Sequence, residues 1–212
     1  MTDLWSERAE SYRESETHAS GSDLDLLVSW AEGETALDVA AGGGHVARRL
    51  RERGFQVTTL DPAPGMRADV LAFAEDIPFA DGSFDTVATR IAPHHFTDIR
   101  AAVSEMARVA RRVVLVEDTL YDSDEVEEAE RLHDPTHVRS YSEAEWREFL
   151  EAAGLRVETV ELQAKSRDAA AWFDRVGCVG ADRERATELL GDRIGADGVY
   201  TDTKILIKAR KS

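Results

Sequence analysis

Cysteine, lysine and long apolar runs are all scarce in this chain, and each scarcity excludes something. The single cysteine, Cys178, leaves no intramolecular disulfide and no multi-cysteine metal cluster, which fits a reducing compartment. It reads as a small buried residue. Nowhere do about 18 apolar residues run together, as a membrane span requires, so none is expected. The opening MTDLWSERAE is polar and lacks the apolar h-region of a secretion signal, and the expected location is cytoplasmic. Lysine occurs only at Lys165, Lys204, Lys208 and Lys211; 42 acidic residues face 26 basic ones, for a formal net charge of −16. That surplus repels polyanions at ordinary salt and argues against nucleic acid as a partner. An acidic, lysine-poor surface suits a protein kept soluble in concentrated salt, although an ordinary acidic protein from a GC-rich genome would look the same.

What is present is enough for one core: 212 residues, 42% of them hydrophobic, predict a single domain. Two helical patterns, over residues 4–13 and 23–32, open the chain around the polar turn SETHASGS, with Ser22 placed three before Asp25 as a variant capping box. An apolar strand at 35–40, a glycine turn, a helix at 45–52 with Val46, Ala47 and Leu50 inward, and a strand at 56–60 form a βαβ unit with parallel strands. Further strands are expected at 68–72, 85–91 and 112–117, with a helix at 98–110. After a polar stretch from Tyr121 to Tyr141, Ser142-Glu143-Ala144-Glu145 is a full capping box for a helix that Gly154 closes. A strand at 155–163, a helical region over 167–194 and a strand at 202–209 end the chain. This alternation predicts an open α/β sheet with helices on both faces.

Consecutive glycines after a buried strand let backbone approach a ligand, because positive φ costs glycine nothing. Gly42-x-Gly44-x-x-Ala47 alone also satisfies the dinucleotide fingerprint. Asp61 ends the second strand, where a carboxylate can accept from both ribose hydroxyls. Asp38, inside the first strand four residues before Gly42, separates the candidate ligands. A carboxylate beneath the loop repels a pyrophosphate but attracts the sulfonium and ammonium of S-adenosylmethionine. Alternatively, Asp38 receives a hydrogen bond from a loop amide.

LDVAAGGGHVA (37–47) resembles the D-x-G-x-G-x-G loop of class I methyltransferases, and AEDIPFADGSFDTV (74–87) resembles their AE-x-LPF-x-D-x-SFD-x-V segment. With TRIAPHHF (89–96) and RLHDPTHVRSYSEAEWREFLEAAGL (131–155), the chain is similar to the branch of ubiquinone and menaquinone methyltransferases over residues 5–162. The resemblance implies a Rossmann-like sheet, mostly parallel with a reversed C-terminal strand, and S-adenosylmethionine as cofactor. It places Asp38, Ala40, Gly42 and Gly44 at the methionine part, Asp61 and Pro62 at the ribose, and Glu75, Asp76 and Ile77 at the adenine. Arg90 joins the cofactor set, as do Tyr12 and His18 of a Y-x-x-S-x-x-H lead that forms a flap within residues 1–33.

Besides the absent KPGG turn before the fifth strand, where Ala110-Arg111-Arg112 connects instead, the chain departs from this pattern at three places. Ala40 replaces the first loop glycine, a conservative change that tightens the bend. The acid that contacts adenine falls on Phe73. Only about a dozen residues separate Asp61 from Phe73, too few for the family's helix and strand, so the helix is expected to shrink to a turn at PAPGMR and to open one side of the pocket.

The acceptor side is expected at His94 and His95, after the fourth strand, and at His137, in insertions over about 119–141 and 166–200. A histidine titrates near neutrality and can take a proton from a phenol, thiol or enol, although a backbone bond that orders the loop is the simpler role. His133 and Arg139 belong to the same stretch as His137, and no third ligand of suitable spacing makes a metal site of His94 and His95. The acidic run DSDEVEEAE (122–130) reads as a solvated helix face, and Trp172, Phe173 and Val176 as core or a homodimer contact. The expected function is methyl transfer to a small-molecule acceptor, quinone-like or phenolic. A nicotinamide-dependent oxidoreductase and a non-catalytic S-adenosylmethionine-binding protein are the alternatives.

Overall fold

A computed structural model describes residues 4–7, 9–10 and 20–211. Tyr12 and His18, the two flap candidates, lie outside the described residues. The elements that position the site are α1 (Ser22–Ser29), β1 (Thr35–Val39), α2 (His45–Glu52), β2 (Gln56–Leu60), β3 (Phe84–Arg90), α3 (Ile99–Val109) and β4 (Ala110–Thr119). They are followed by α4 (Asp124–His133), α5 (Glu143–Ala152), β5 (Leu155–Asp168), α6 (Ala169–Val176), α7 (Gly180–Leu190) and β6 (Val199–Lys211). The strands form one sheet in the order β2-β1-β3-β4-β6-β5. Strands β1 to β4 run parallel, and β6 lies antiparallel between β4 and β5. The reversed C-terminal strand is therefore β6.

Alternation along the central strands explains why both faces are covered. Leu37, Val39, Val87, Val114, Val116, Ile205 and Ile207 point into one core with Met106 of α3 and with Trp146 and Leu150 of α5. Their neighbours Ala36, Ala88, Val113, Leu115 and Leu206 meet Leu24 and Leu27 of α1 and Val46 and Leu50 of α2. Side chains of period two on a strand require such a second layer when both faces are apolar. The capping box at Ser142 forms in full, with Ser142 Oγ accepting from Glu145 N–H and the Glu145 carboxylate accepting from Ser142 N–H. Such a cap stabilises a helix start by about 1 kcal/mol.

Several expectations need correction. Helix α1 is capped by Gly21 with no side-chain bond, because Asp25 is drawn instead into an ion pair with Arg49 of α2. The strand expected at 68–72 is reduced to a single parallel bridge, Leu60 to Val70. With Asp61 fewer than ten residues away, the chain has no length for a crossover helix and a paired strand, and a 3₁₀ turn at Pro64–Met66 serves instead. The helical region at 167–194 is three pieces, broken by Gly177 and Gly191, both at positive φ. The acidic run is not simply a solvated face. Val126 and Ala129 of α4 pack with Trp172, Phe173, Cys178, Leu190 and Tyr200 in a separate small core, and Glu127 is buried. The segments at 119–141 and 166–200 thus fold against each other.

The shortened region after β2 is covered by the N-terminal segment. Ala63 and Met66 pack against Ala9 and Trp5, and Gly65 N–H donates to Ser6 Oγ at 3.0 Å. A Cβ on Gly65 would stand 2.6 Å from the Ser6 backbone. Gly65→Ala is therefore expected to displace this segment and weaken S-adenosylmethionine binding roughly tenfold through the lost aromatic cover, with the global melting transition little changed. Calorimetric titration checks this; unchanged affinity would exclude the segment from the site.

Candidate active site

The βαβ unit builds the site at the C-terminal ends of β1, β2 and β3, where open α/β sheets bind ligands. A cleft of about 1130 Å3, counting its open mouth, is lined there by Asp38, Ala40, Gly42, Asp61, Pro62, Glu75, Arg90 and His95, all sequence candidates. Trp5, His45, Met66, Phe73, Ile91, Phe96 and Thr97 also line it. Gly42 and Gly44 adopt φ of 50° and 72°, and a Cβ on either would meet nothing within 4 Å. Glycine is thus required for the left-handed turn and leaves room for a ligand.

Ala40 is a less innocent replacement than its size suggests. Its φ is 54°, in the left-handed region, where a Cβ crowds the following carbonyl at a cost of about 1–2 kcal/mol. Glycine would add back about 0.4–1 kcal/mol of unfolded-chain entropy. Ala40→Gly is expected to stabilise the fold by about 0.5–1 kcal/mol, read as a higher urea midpoint at constant m; an unmoved midpoint would refute strain at this turn.

Asp38 serves the loop and the cleft together. Its Oδ2 accepts from Ala47 N–H at 2.9 Å, in the first turn of α2, where the N-cap Gly44 has no side chain to offer. The carboxyl is 2% exposed, and burial, aided by nearby Asp61 and opposed by the Ala47 amide, pushes its pKa up to about 7. A cation in the cleft would draw it back to the carboxylate. Asp61 closes the loop from the other side. Its Oδ2 accepts from Gly42 N–H and its Oδ1 from Ala63 N–H, both at 2.9 Å. Each oxygen retains lone-pair capacity for a hydroxyl, which fits a ribose diol. Burial raises the Asp61 pKa against those two amides.

Other candidates are placed differently. Glu75 borders the cleft, but its carboxylate accepts from Thr97 N–H and Oγ1–H and from Asp98 N–H, tying down the start of α3. Ile77 is 2% exposed in the main core, and neither it nor Asp76 lines the cleft. From this segment the cleft is lined by Phe73 and Ala74 as well as Glu75. Arg90 reaches the cleft wall, yet its guanidinium is bound to Asp23 at 2.7 Å and Glu117 at 2.6 Å. Burial would raise Asp23, but Arg90 and Lys165 outweigh it and hold that carboxyl well below the usual range, so this ion network locks α1 to the sheet.

A second cavity of about 610 Å3 with its mouth adjoins the first and shares Ile91 and His95 with it. Ile91 sits at the junction with φ 50°, an outlier for a β-branched residue and a place where backbone strain is stored. His94, His133 and His137 line the second cavity but not the first. His94 Nδ1 lies 2.5 Å from Oδ1 of Asp118, which is fully buried at the end of β4. Burial, with repulsion from His137 and Lys204, pushes the His94 pKa well down, and burial opposed by Lys204 lifts Asp118 to about 7. His95 Nδ1 donates to the Thr136 carbonyl at 3.0 Å, so its Nε2 carries the lone pair, and burial holds its pKa near 3. Trp5 packs on His95 edge-to-face at 4.5 Å between ring centres. His137 Nε2 contacts Glu127 at 3.3 Å, and the same carboxylate accepts from Ser140 N–H, which orders the loop after α4. His133 Nε2 donates to the Trp172 carbonyl. Asp118, Trp5 and Ile91 are the site residues that sequence reasoning missed.

Known proteins share this sequence pattern and fold. A methyltransferase domain family matches residues 37–115. The uncharacterized methyltransferase YcgJ of Bacillus subtilis is 33% identical over 207 residues, covering 85% of this chain and 81% of YcgJ. The crystal structure of YcgJ superposes with a TM-score of 0.79 at 27% identity over 89% of this chain and 97% of that one. A putative methyltransferase from Bacillus halodurans gives 0.78 at 28% identity, covering 90% and 99%. A demethylmenaquinone methyltransferase of Beutenbergia cavernae is 38% identical over 107 residues, 44% of each chain. The loop, the strand-end acid and these relatives together make the chain a member of the class I S-adenosylmethionine-dependent methyltransferases, with S-adenosylmethionine as its methyl donor.

Proposed function

We propose that the chain methylates a small-molecule acceptor carrying an ionisable hydroxyl, on a phenolic or quinol-like ring, and that His94 takes the hydroxyl proton. The observation that carries this reading is the meeting of two cavities at Ile91 and His95, with the buried His94–Asp118 pair on the far side from the cofactor loop. Bound S-adenosylmethionine supplies a methyl group on a sulfonium, whose C–S bond breaks as the bond to the acceptor oxygen forms, leaving S-adenosylhomocysteine. The chain supplies orientation and a proton acceptor. Ionised Asp118 can only accept from His94 Nδ1–H, which leaves the lone pair on Nε2. Burial keeps that imidazole neutral before the reaction. His95 stands at the passage and borders the nucleophile. The segments at 119–141 and 166–200 supply the acceptor side, and Trp5 with Met66 closes the cleft where the family's helix is missing, which supports a catalytic rather than a merely binding role.

Calorimetry with S-adenosylmethionine, S-adenosylhomocysteine and NAD, followed by a screen of phenols and quinols for S-adenosylhomocysteine release, tests the proposal. Both sulfur ligands are expected to bind and NAD is not, because Asp38 beneath the loop would repel its pyrophosphate. Preferential binding of NAD, or release that no ring hydroxyl stimulates, would sink it.

A further inference from the structure

The wall of the second cavity reverses the charge balance of the chain. It holds Lys165, Arg167, Arg175 and Lys204 against Glu130, Asp134 and Asp202, in a protein with 26 basic and 42 acidic residues. Two of the four lysines of the whole chain stand on it. Lys204 is 2% exposed, with its ammonium donating to Thr119 Oγ1 at 2.6 Å and to Asp202 at 2.8 Å. The Arg167 guanidinium also binds Asp202 through Nη2, so one carboxylate serves two cations. Asp23 likewise serves both Lys165 and Arg90. The Nε of Arg167 is buried and has no hydrogen-bond partner among the described residues. Burial pushes the Glu130 carboxyl toward its neutral form, which leaves the wall more positive.

A chain of net charge −16 repels anions in general, so a buried cationic wall inside it is a local device. The buried, unpartnered N–H of Arg167 can be satisfied by an anion, and a guanidinium with a spare N–H suits a planar carboxylate. Among the described residues the apolar part of the wall is Ile91, Trp172 and Val176, too little to shelter a long hydrocarbon tail. We infer that the acceptor is a small carboxylic acid bearing an ionisable hydroxyl, held by its carboxylate at Arg167 and Lys204, and not a prenylated quinone. This rests on the assignment of the second cavity to the acceptor.

The test is a binding measurement that does not depend on turnover. 4-Hydroxybenzoate and its neutral isostere 4-hydroxybenzamide are titrated into the whole protein, with and without S-adenosylhomocysteine. The acid is expected to bind at least about tenfold tighter than the amide, the scale of one charge-assisted hydrogen bond. Arg167→Gln brings the acid down to the affinity of the amide and leaves the amide unchanged. Asp202→Asn loosens the hold on Arg167 and Lys204, so the acid binds severalfold tighter, which a purely structural role for Asp202 would not produce. Equal affinities for acid and amide, or no binding of the acid up to about 10 mM, overturn the inference. Acid preference without any methylation would keep a carboxylate site at Arg167 and Lys204 but overturn its reading as the acceptor site. Methylation of another acceptor with acid and amide bound alike would do the reverse.

Discussion

Replacing Asp118 by asparagine is expected to lower acceptor-dependent turnover by about 100- to 10,000-fold, the usual worth of a positioned general base. Affinity for S-adenosylmethionine should stay within about twofold, because Asp118 lines neither the loop nor the cleft. Asparagine can turn its amide N–H toward His94 Nδ1, and the imidazole then carries its proton on Nε2 and cannot accept another. His94→Gln should fall to the same level, and the double variant no further, since both act as one unit. Asp118 is a positioning residue, so the loss should appear in kcat and in its pH profile and not in the KM for the donor. Wild-type kcat should rise through about pH 7 as Asp118 ionises and fixes the productive tautomer, while the Asp118→Asn rate should be flat there. A rate unaffected by the substitution would confine the pair to structure.

The same group gives a stability signature of opposite sign. The folded pKa of Asp118 is raised to about 7, above the unfolded value of about 4. Its contribution to stability is therefore complete below about pH 4 and is lost as pH rises through 7, because the folded state binds the extra proton. Asp38 and Glu117, both lifted by burial to about 7, act in the same direction. The asparagine variant should lose less stability between pH 4 and 8 than wild type does, so its lost turnover cannot be ascribed to unfolding.

How much of this was legible in the sequence depended on the range of each interaction. The βαβ unit could be read because alternation and helical period are local, and because Asp38, Gly42 and Asp61 fall within one such unit. The cap at Ser142 is legible for the same reason: donor and acceptor are three residues apart. The α/β alternation predicts a strand at residues 68–72, yet pairing needs chain length that this protein lacks after Asp61. Glu75 showed a carboxylate of the right type at the right place, but nothing in the sequence shows that the start of α3 claims it. Asp118 and His94 are 24 positions apart, one at the end of β4 and the other in the turn after β3, and nothing local in the strand around Lys204 marks that lysine as buried. Ile91 carried no signal at all, since a β-branched residue argues against positive φ.

Asp61→Ala is expected to weaken S-adenosylmethionine by about 1–3 kcal/mol, or roughly five- to 150-fold, with NAD still not bound. Two losses combine. The ribose hydroxyls lose their acceptor, and the N–H groups of Gly42 and Ala63, each held at 2.9 Å, lose theirs, so the glycine turn is no longer tied to the end of β2. Asparagine is not a mild control, because its NH2 would face one of those two amide donors. A ligand control separates the terms: 2′-deoxy-S-adenosylhomocysteine should bind wild type more weakly than the parent compound, whereas the alanine variant should bind both alike. If the variant still discriminates between them, another residue holds the ribose and Asp61 serves only the loop. If it loses affinity and discrimination together, the acid at the end of β2 is both the tether of the glycine turn and the ribose contact, and the two functions share one carboxylate.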